Sequence, residues 1–123
     1  MDWKILLIVV AVFAVWLTLK RLSLVSATVA QEYLRKGALV VDVRSEDEFR
    51  SRHLPGAVNI TLDDLAQSLP ARVKDKQQPV LLHCLSGTRS GMARRELKRM
   101  GYANVFNLGS YSRAEQIVGK SGR

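Results

Sequence analysis

The sequence contains one cysteine, two histidines and three prolines among its 123 residues. A single cysteine excludes an intramolecular disulfide. Together with the two histidines it supplies three N or S donors, fewer than the four that a structural zinc site takes. Acidic residues are also scarce: 11 against 19 lysines and arginines, for a net charge of +8. That surplus leaves three partner classes open: nucleic acid, an anionic membrane surface, or a small anionic substrate. Charged residues make up 24% of the chain, near the globular average, which argues against wholesale disorder. The length corresponds to one small domain, which is expected to carry any activity without a second. No internal repeat or low-complexity tract is present.

The hydrophobic residues are unevenly distributed. Every residue from Ile5 to Leu17 is apolar, Thr18 and Leu19 extend the run, and Lys20-Arg21 close it. As a helix, positions 5–19 would span roughly 22 Å, short of the ~30 Å hydrocarbon core. Trp3 and Trp16 suit interfacial positions, Lys4 and Lys20 can snorkel, and Leu22, Leu24 and Val25 could lengthen the apolar part. Residues 1–21 are therefore expected to form a transmembrane anchor with a basic flank. A cleaved signal peptide is the rival reading, because Val25-Ser26-Ala27 has a small-x-small pattern. Lys20-Arg21, standing between the run and that site, argue against it. A core helix fits poorly, since this run is apolar all round. Lys20, Arg21, Arg35 and Lys36 after the run outweigh Lys4 and the terminal amine before it. The positive-inside rule then places the carboxyl-terminal domain in the cytoplasm, below a single-pass helix in the cell (inner) membrane. A lone free cysteine suits that reducing side.

Residues 22–115 read as alternating strands and helices. Ser26 or Thr28 can cap a helix to Lys36, with Ala30, Tyr33 and Leu34 on its apolar face. Leu39 to Val43 is a β-branched run suited to a strand buried on both faces. Ser45-Glu46-Asp47-Glu48 has the form of a capping box. Ala57–Ile60, Pro79–His83 and Asn104–Leu108 are further strands. Helices are expected around Leu62–Leu69 and Ser90–Met100, with a weak one over Ser112–Val118. This alternation predicts an α/β domain, a parallel sheet with helices on both faces, preceded by one transmembrane helix. Residues 116–123, ending Gly119-Lys120-Ser121-Gly122-Arg123, are expected to fray.

In such sheets, ligands sit at the carboxyl ends of strands, where helix amino termini point. Cys84 falls there, after the most continuously hydrophobic strand. The loop Leu85-Ser86-Gly87-Thr88-Arg89 can curl its N–H groups around one point, with Gly87 free to take positive φ. Those donors, the next helix's amino terminus and the Arg89 guanidinium all favour a thiolate over a thiol. A lowered Cys84 pKa is therefore expected.

The segment Cys84-Leu85-Ser86-Gly87-Thr88-Arg89-Ser90 resembles the active-site loop of the rhodanese family, Cys-x-x-Gly-x-Arg-Ser. Val41-Asp42-Val43-Arg44 followed by Glu48-Phe49 is similar to that family's Asp-Val-Arg…Glu-Tyr/Phe segment. His53 to Ile60 resembles its His-Ile-Pro-Gly-Ala-x-Asn-Ile signature, and Gly101-Tyr102…Val105…Leu108-Gly109 the approach to its carboxyl-terminal motif. The likeness covers roughly Ser26 to Gly109 in four ordered blocks. It implies sulfurtransfer: Cys84 as catalytic nucleophile takes the sulfane sulfur of a small anionic donor such as thiosulfate. A thiol acceptor then removes it, and Leu85, Ser86, Gly87, Thr88, Arg89 and Ser90 form the substrate-binding loop. It also implies no metal and no organic cofactor. Covalent catalysis needs an ionised nucleophile and oriented donors, which the residues supply. Cysteine phosphatases place five residues between Cys and Arg. Here four intervene, a narrower cradle suited to one sulfur, so a phosphatase is the weaker enzymatic reading. A non-enzymatic docking module that tethers partners at the membrane is the alternative from another class; the presence of both Cys84 and Arg89 favours an enzyme.

Three places depart from the family pattern. Arg52 stands where a glycine usually precedes His53, and Ser110, Tyr111 and Ala114 replace the glycine and aromatic residues that follow Gly109. These touch one wall near the loop and therefore bear on substrate access. His83 precedes Cys84 on one strand, so its side chain should point to the opposite face and pack there. His53 is read as a turn residue holding Pro55-Gly56. Asp42 and Arg44 are expected to make internal polar contacts, Arg44 with Glu48. Arg94, Arg95, Lys98 and Arg99 are expected on one solvated helix face, opposite Ala93, Leu97 and Met100, available to anionic lipid or an acidic membrane-protein partner. Three of the basic residues (Lys4, Lys20, Arg21) and one acidic residue (Asp2) flank the apolar run, leaving 16 against 10 in residues 22–123. No aromatic residues interleave with the helix charges, so nucleic acid is not an expected partner.

Overall fold

A computed structural model describes residues 2–120 of the chain. The first helix, α1, runs from Trp3 to Leu22. Its 20 residues extend about 30 Å, long and apolar enough to cross a membrane. None of its residues is buried, and Asp2 caps it through a hydrogen bond from the Lys4 amide. Contrary to the expectation that they lengthen the apolar span, Leu24 and Val25 lie beyond the end of α1 and belong to the domain. Val25 is buried, its N–H donates to Asn107 O at 3.0 Å, and its carbonyl accepts from Arg113 Nη2 at 2.5 Å.

Local rules account for most of the remaining elements. Helix α2, Ala27–Arg35, starts where the Ser26 hydroxyl accepts from the Val29 amide. Strand β1, Leu39–Asp42, follows. Helix α3, Glu46–Ser51, opens with a full Ser45–Glu48 capping box. Strand β2 is Val58–Asn59, shorter than expected because the chain turns at once, with Leu62 N–H donating to Val43 O. A 3₁₀ turn, Leu62–Asp64, leads into α4, Leu65–Arg72. Then come β3, Val80–His83; α5, Thr88–Arg99; β4, Val105–Gly109; and α6, Tyr111–Lys120.

The four strands form one parallel sheet in the order β2-β1-β3-β4. Parallel strands covered on both faces read as near-continuous apolar runs, and all four residues of β3 are buried. On one face Val41, Leu82, Leu65, Leu69, Ala93 and Leu97 join the sheet to α4 and α5. On the other, Val40, Leu81, Ala30, Leu34, Ala114 and Ile117 join it to α2 and α6. The tail expected to fray from 116 is instead helical to Lys120, because Ile117 and Val118 are buried against α2. Residues 121–123 of that expectation lie outside the described residues.

Candidate active site

Cys84 leaves the carboxyl end of the central strand β3, and its own amide donates to Gly109 O on the neighbouring β4. The chain then turns through Leu85-Ser86-Gly87 into α5. Gly87 has φ +95, a conformation costly for residues with a Cβ, and that turn aims its N–H back at the cysteine. Cys84 Sγ accepts from Gly87 N at 3.0 Å and from Ser90 N at 3.4 Å, with Ser90 Oγ also at 3.4 Å. The sulfur is buried among its own loop's donors. Burial opposes ionisation of the thiol. Hydrogen bonds from the Ser90 hydroxyl and from the amides of Ser90, Gly87 and Ser86 outweigh it and hold the pKa below the ordinary thiol value.

The Ser90 hydroxyl has one proton and two acceptors in reach, Cys84 Sγ and Asn107 Oδ1, the latter at 2.7 Å. The shorter contact takes the proton while Cys84 is a thiol; ionisation makes the sulfur the better acceptor. Asn107 also receives the Gly109 amide at 2.8 Å and donates Nδ2 to Gly87 O at 3.1 Å. It thus fixes the loop and β4 to each other. Sequence reading missed Asn107, although it is the one buried polar residue of an otherwise apolar strand.

The expected loop residues divide into two groups. Cys84, Ser86, Gly87 and Ser90 converge on the sulfur through the contacts above. Leu85, Thr88 and the Ser86 hydroxyl face outward, with Leu85 O accepting from Tyr111 N and Ser86 bridging to Ser110. Arg89 makes no hydrogen bond to Cys84 among the described residues, and acts on it only through its charge. Its guanidinium forms a bidentate pair with Glu48, Nη1–Oε1 2.7 Å and Nη2–Oε2 3.1 Å. Glu48 was expected to pair with Arg44, but Arg44 instead grips buried Asp42 through Nε and Nη2 at 3.0 and 2.7 Å. The reason is geometric: Asp42 and Arg44 share one face of an extended segment, while α3 turns Glu48 toward the loop. The Arg89 guanidinium, helped by the Ser45 amide and hydroxyl against a smaller effect of burial, holds the Glu48 carboxyl down at about 2.

His83 points away from Cys84, as strand alternation requires, and is fully buried with its ring edge-on to Tyr111. Desolvation lowers its pKa, so it is a neutral packing residue. His53 stacks on Phe49 and its Nδ1 lies 2.8 Å from Phe49 O. The α5 basic face is less free than expected. Arg94 and Lys98 donate to the Val105 and Ala103 carbonyls, and Arg99 pairs with Glu96. The Arg94 and Lys98 contacts close the turn between α5 and β4, whereas the Arg99–Glu96 pair lies within α5.

Residues 26–115 match the family described as rhodanese-like domain. The chain belongs to the rhodanese family. It is 36% identical to thiosulfate sulfurtransferase PspE of Escherichia coli over 69 residues, 56% of this chain and 66% of that protein. Protein YqhL of Bacillus subtilis is 34% identical over 113 residues, 88% of each chain. A solved E. coli rhodanese, described with anions, superposes with a TM-score of 0.61 at 32% identity, covering 63% of this chain and 91% of that one. The rhodanese match includes every residue of the Cys84 cradle and excludes α1.

Proposed function

We propose that this rhodanese is a sulfurtransferase working through a Cys84 persulfide at the cytoplasmic face of a membrane. The observation that carries the reading is the convergence of Gly87 N and Ser90 N on Cys84 Sγ. The Cys84 thiolate attacks the outer sulfur of thiosulfate or a related sulfane donor. A new S–S bond forms, the donor S–S bond breaks, and sulfite leaves with the electron pair. An acceptor thiolate then attacks the outer persulfide sulfur; Cys84 leaves as thiolate and the acceptor carries the sulfur away. The loop amides stabilise the anionic sulfur in each state. The donor set points at the cysteine's own sulfur rather than at a wider anion, which favours persulfide over phosphate chemistry. PspE, named a thiosulfate sulfurtransferase, supports the donor class.

Helix α1 serves as a single-pass anchor in this reading. Cleavage after Ala27 would remove buried Val25 and the Ser26 cap of α2, which disfavours a signal peptide. Incubating the purified chain with thiosulfate tests the chemistry: a +32 Da adduct on Cys84, absent in Cys84→Ala, is expected. No adduct with any sulfane donor would make the domain a docking module.

A further inference from the structure

The anchor helix and the active-site loop share a crevice. Trp16, Leu19 and Lys20 of α1 form one wall, and Gly87, Thr88 and Arg95 of the domain face them across about 300 Å³. The domain is held close here. Leu24 lies against Gly109, and Val25 is hydrogen-bonded to β4 and Arg113.

The chemistry of this crevice differs from that of its neighbours. Among the described residues no carboxylate lines it, whereas the cavity beside Arg89 carries Glu46, Asp63 and Asp64, and the next along α5 carries Asp63 and Glu96. Arg94, Lys98 and Arg99 are all engaged, but Arg95 has neither an ion pair nor a hydrogen bond among the described residues. Lys20 rests over the Trp16 ring at 5.3 Å, which directs its ammonium to the aromatic belt. Two cations, an apolar wall continuous with the membrane helix and a Trp that marks the interface meet at one level. An acyl chain can follow Leu19 and Trp16 while the headgroup phosphate sits between the charges.

We propose that this crevice binds the phosphate of an anionic phospholipid, held by Lys20 and Arg95 beside the active-site loop. The proposal rests on α1 crossing a membrane. The full chain is reconstituted in nanodiscs of mixed phosphatidylglycerol and phosphatidylcholine, released into mild detergent, and its bound lipid is counted by native mass spectrometry. Retention of one phosphatidylglycerol in preference to phosphatidylcholine is expected. In Lys20→Gln/Arg95→Gln, retention should fall by about fivefold for each cation removed. Persulfide loading of Cys84 should persist in that variant and show that it is folded. Lys4→Gln/Arg21→Gln removes the same charge outside the crevice and should keep the lipid. Equal retention of both lipids, or equal loss in both double variants, overturns the proposal. Displacement of the lipid by inorganic phosphate also overturns it, because the site would then take the free ion. Failure to enter nanodiscs overturns the anchor reading as well, whereas insertion without lipid preference overturns only the lipid site.

Discussion

Arg89 and Glu48, 41 positions apart, meet in a bidentate pair that ties the Cys84 loop to the amino-terminal turn of α3. Glu48 also closes the capping box with Ser45, so one carboxylate serves the helix and the loop together. Glu48→Gln should lower stability by about 1–2 kcal/mol through the lost charge-assisted bonds and weakened cap, and slow persulfide loading as Arg89 loosens. Thermal melts and single-turnover thiosulfate kinetics measure both effects.

The same pair makes stability depend on acid. The Glu48 carboxyl is depressed to about 2 in the folded domain, so its contribution is complete above the ordinary carboxyl value of 4.5. It is lost progressively as pH falls from there through about 2. Denaturant titrations between pH 6 and pH 3 should therefore show a steeper loss for the native chain than for Glu48→Gln. Parallel curves would mean that the pair adds nothing to folding.

For Cys84, the alkylation rate against pH should show a midpoint below that of an ordinary thiol, since the loop donors outweigh burial. Ser90→Ala removes a hydroxyl that can donate to the sulfur and should move the midpoint upward. A midpoint unchanged by that substitution would leave the amides alone responsible.

Gly87→Ala confronts both sterics and backbone. A Cβ there would lie 3.2 Å from Gly109 Cα, a backbone atom with little room to yield, at a residue with φ +95. The substitution should cost about 1–2 kcal/mol for the left-handed conformation alone. Moving the Gly87 N–H off the sulfur should also reduce the loading rate at least tenfold, or about 1.4 kcal/mol. Quench-flow mass spectrometry of the persulfide reads that loss.

Local pattern was enough to read β1 and β3 from their apolar runs, α2 and α3 from Ser26 and Ser45, and the Cys84 loop from Gly87 and the following helix. The relationships that complete the site are long-range and leave no local mark. Arg89–Glu48 and Asn107–Ser90 join residues whose spacing carries no period. Two departures from the family pattern turn out to be neighbours. The guanidinium groups of Arg44 and Arg52 both pack over the Tyr111 ring, at 4.8 and 4.9 Å from its centre, and Arg52 pairs with Glu115. An arginine at 52 and a tyrosine at 111 each look anomalous alone, yet together they fasten α6 to the turn before β2. The sequence reading ended the ordered domain too early because glycine and lysine in the tail outweighed Ile117 and Val118, whose partners lie on α2.

His83 gives the sharpest separation between packing and catalysis. Both its ring nitrogens are buried without a hydrogen-bond partner among the described residues, and Nε2 lies 3.8 Å from Asp42 Oδ2, too far to satisfy it. An unsatisfied buried polar atom costs free energy, so an apolar side chain of similar size should fit at no loss. His83→Leu should leave stability at neutral pH within about 1 kcal/mol of the native chain, or raise it. The histidine's lowered pKa means that burial favours the neutral ring. Its contribution is therefore present above 6.5 and lost as pH falls below that value. The leucine variant should lose less stability between pH 7 and pH 5. Persulfide loading should not change, because the ring faces α6 while Cys84 faces α5. A tenfold drop in loading by a folded His83→Leu chain would show instead that the histidine acts on the thiol through the strand.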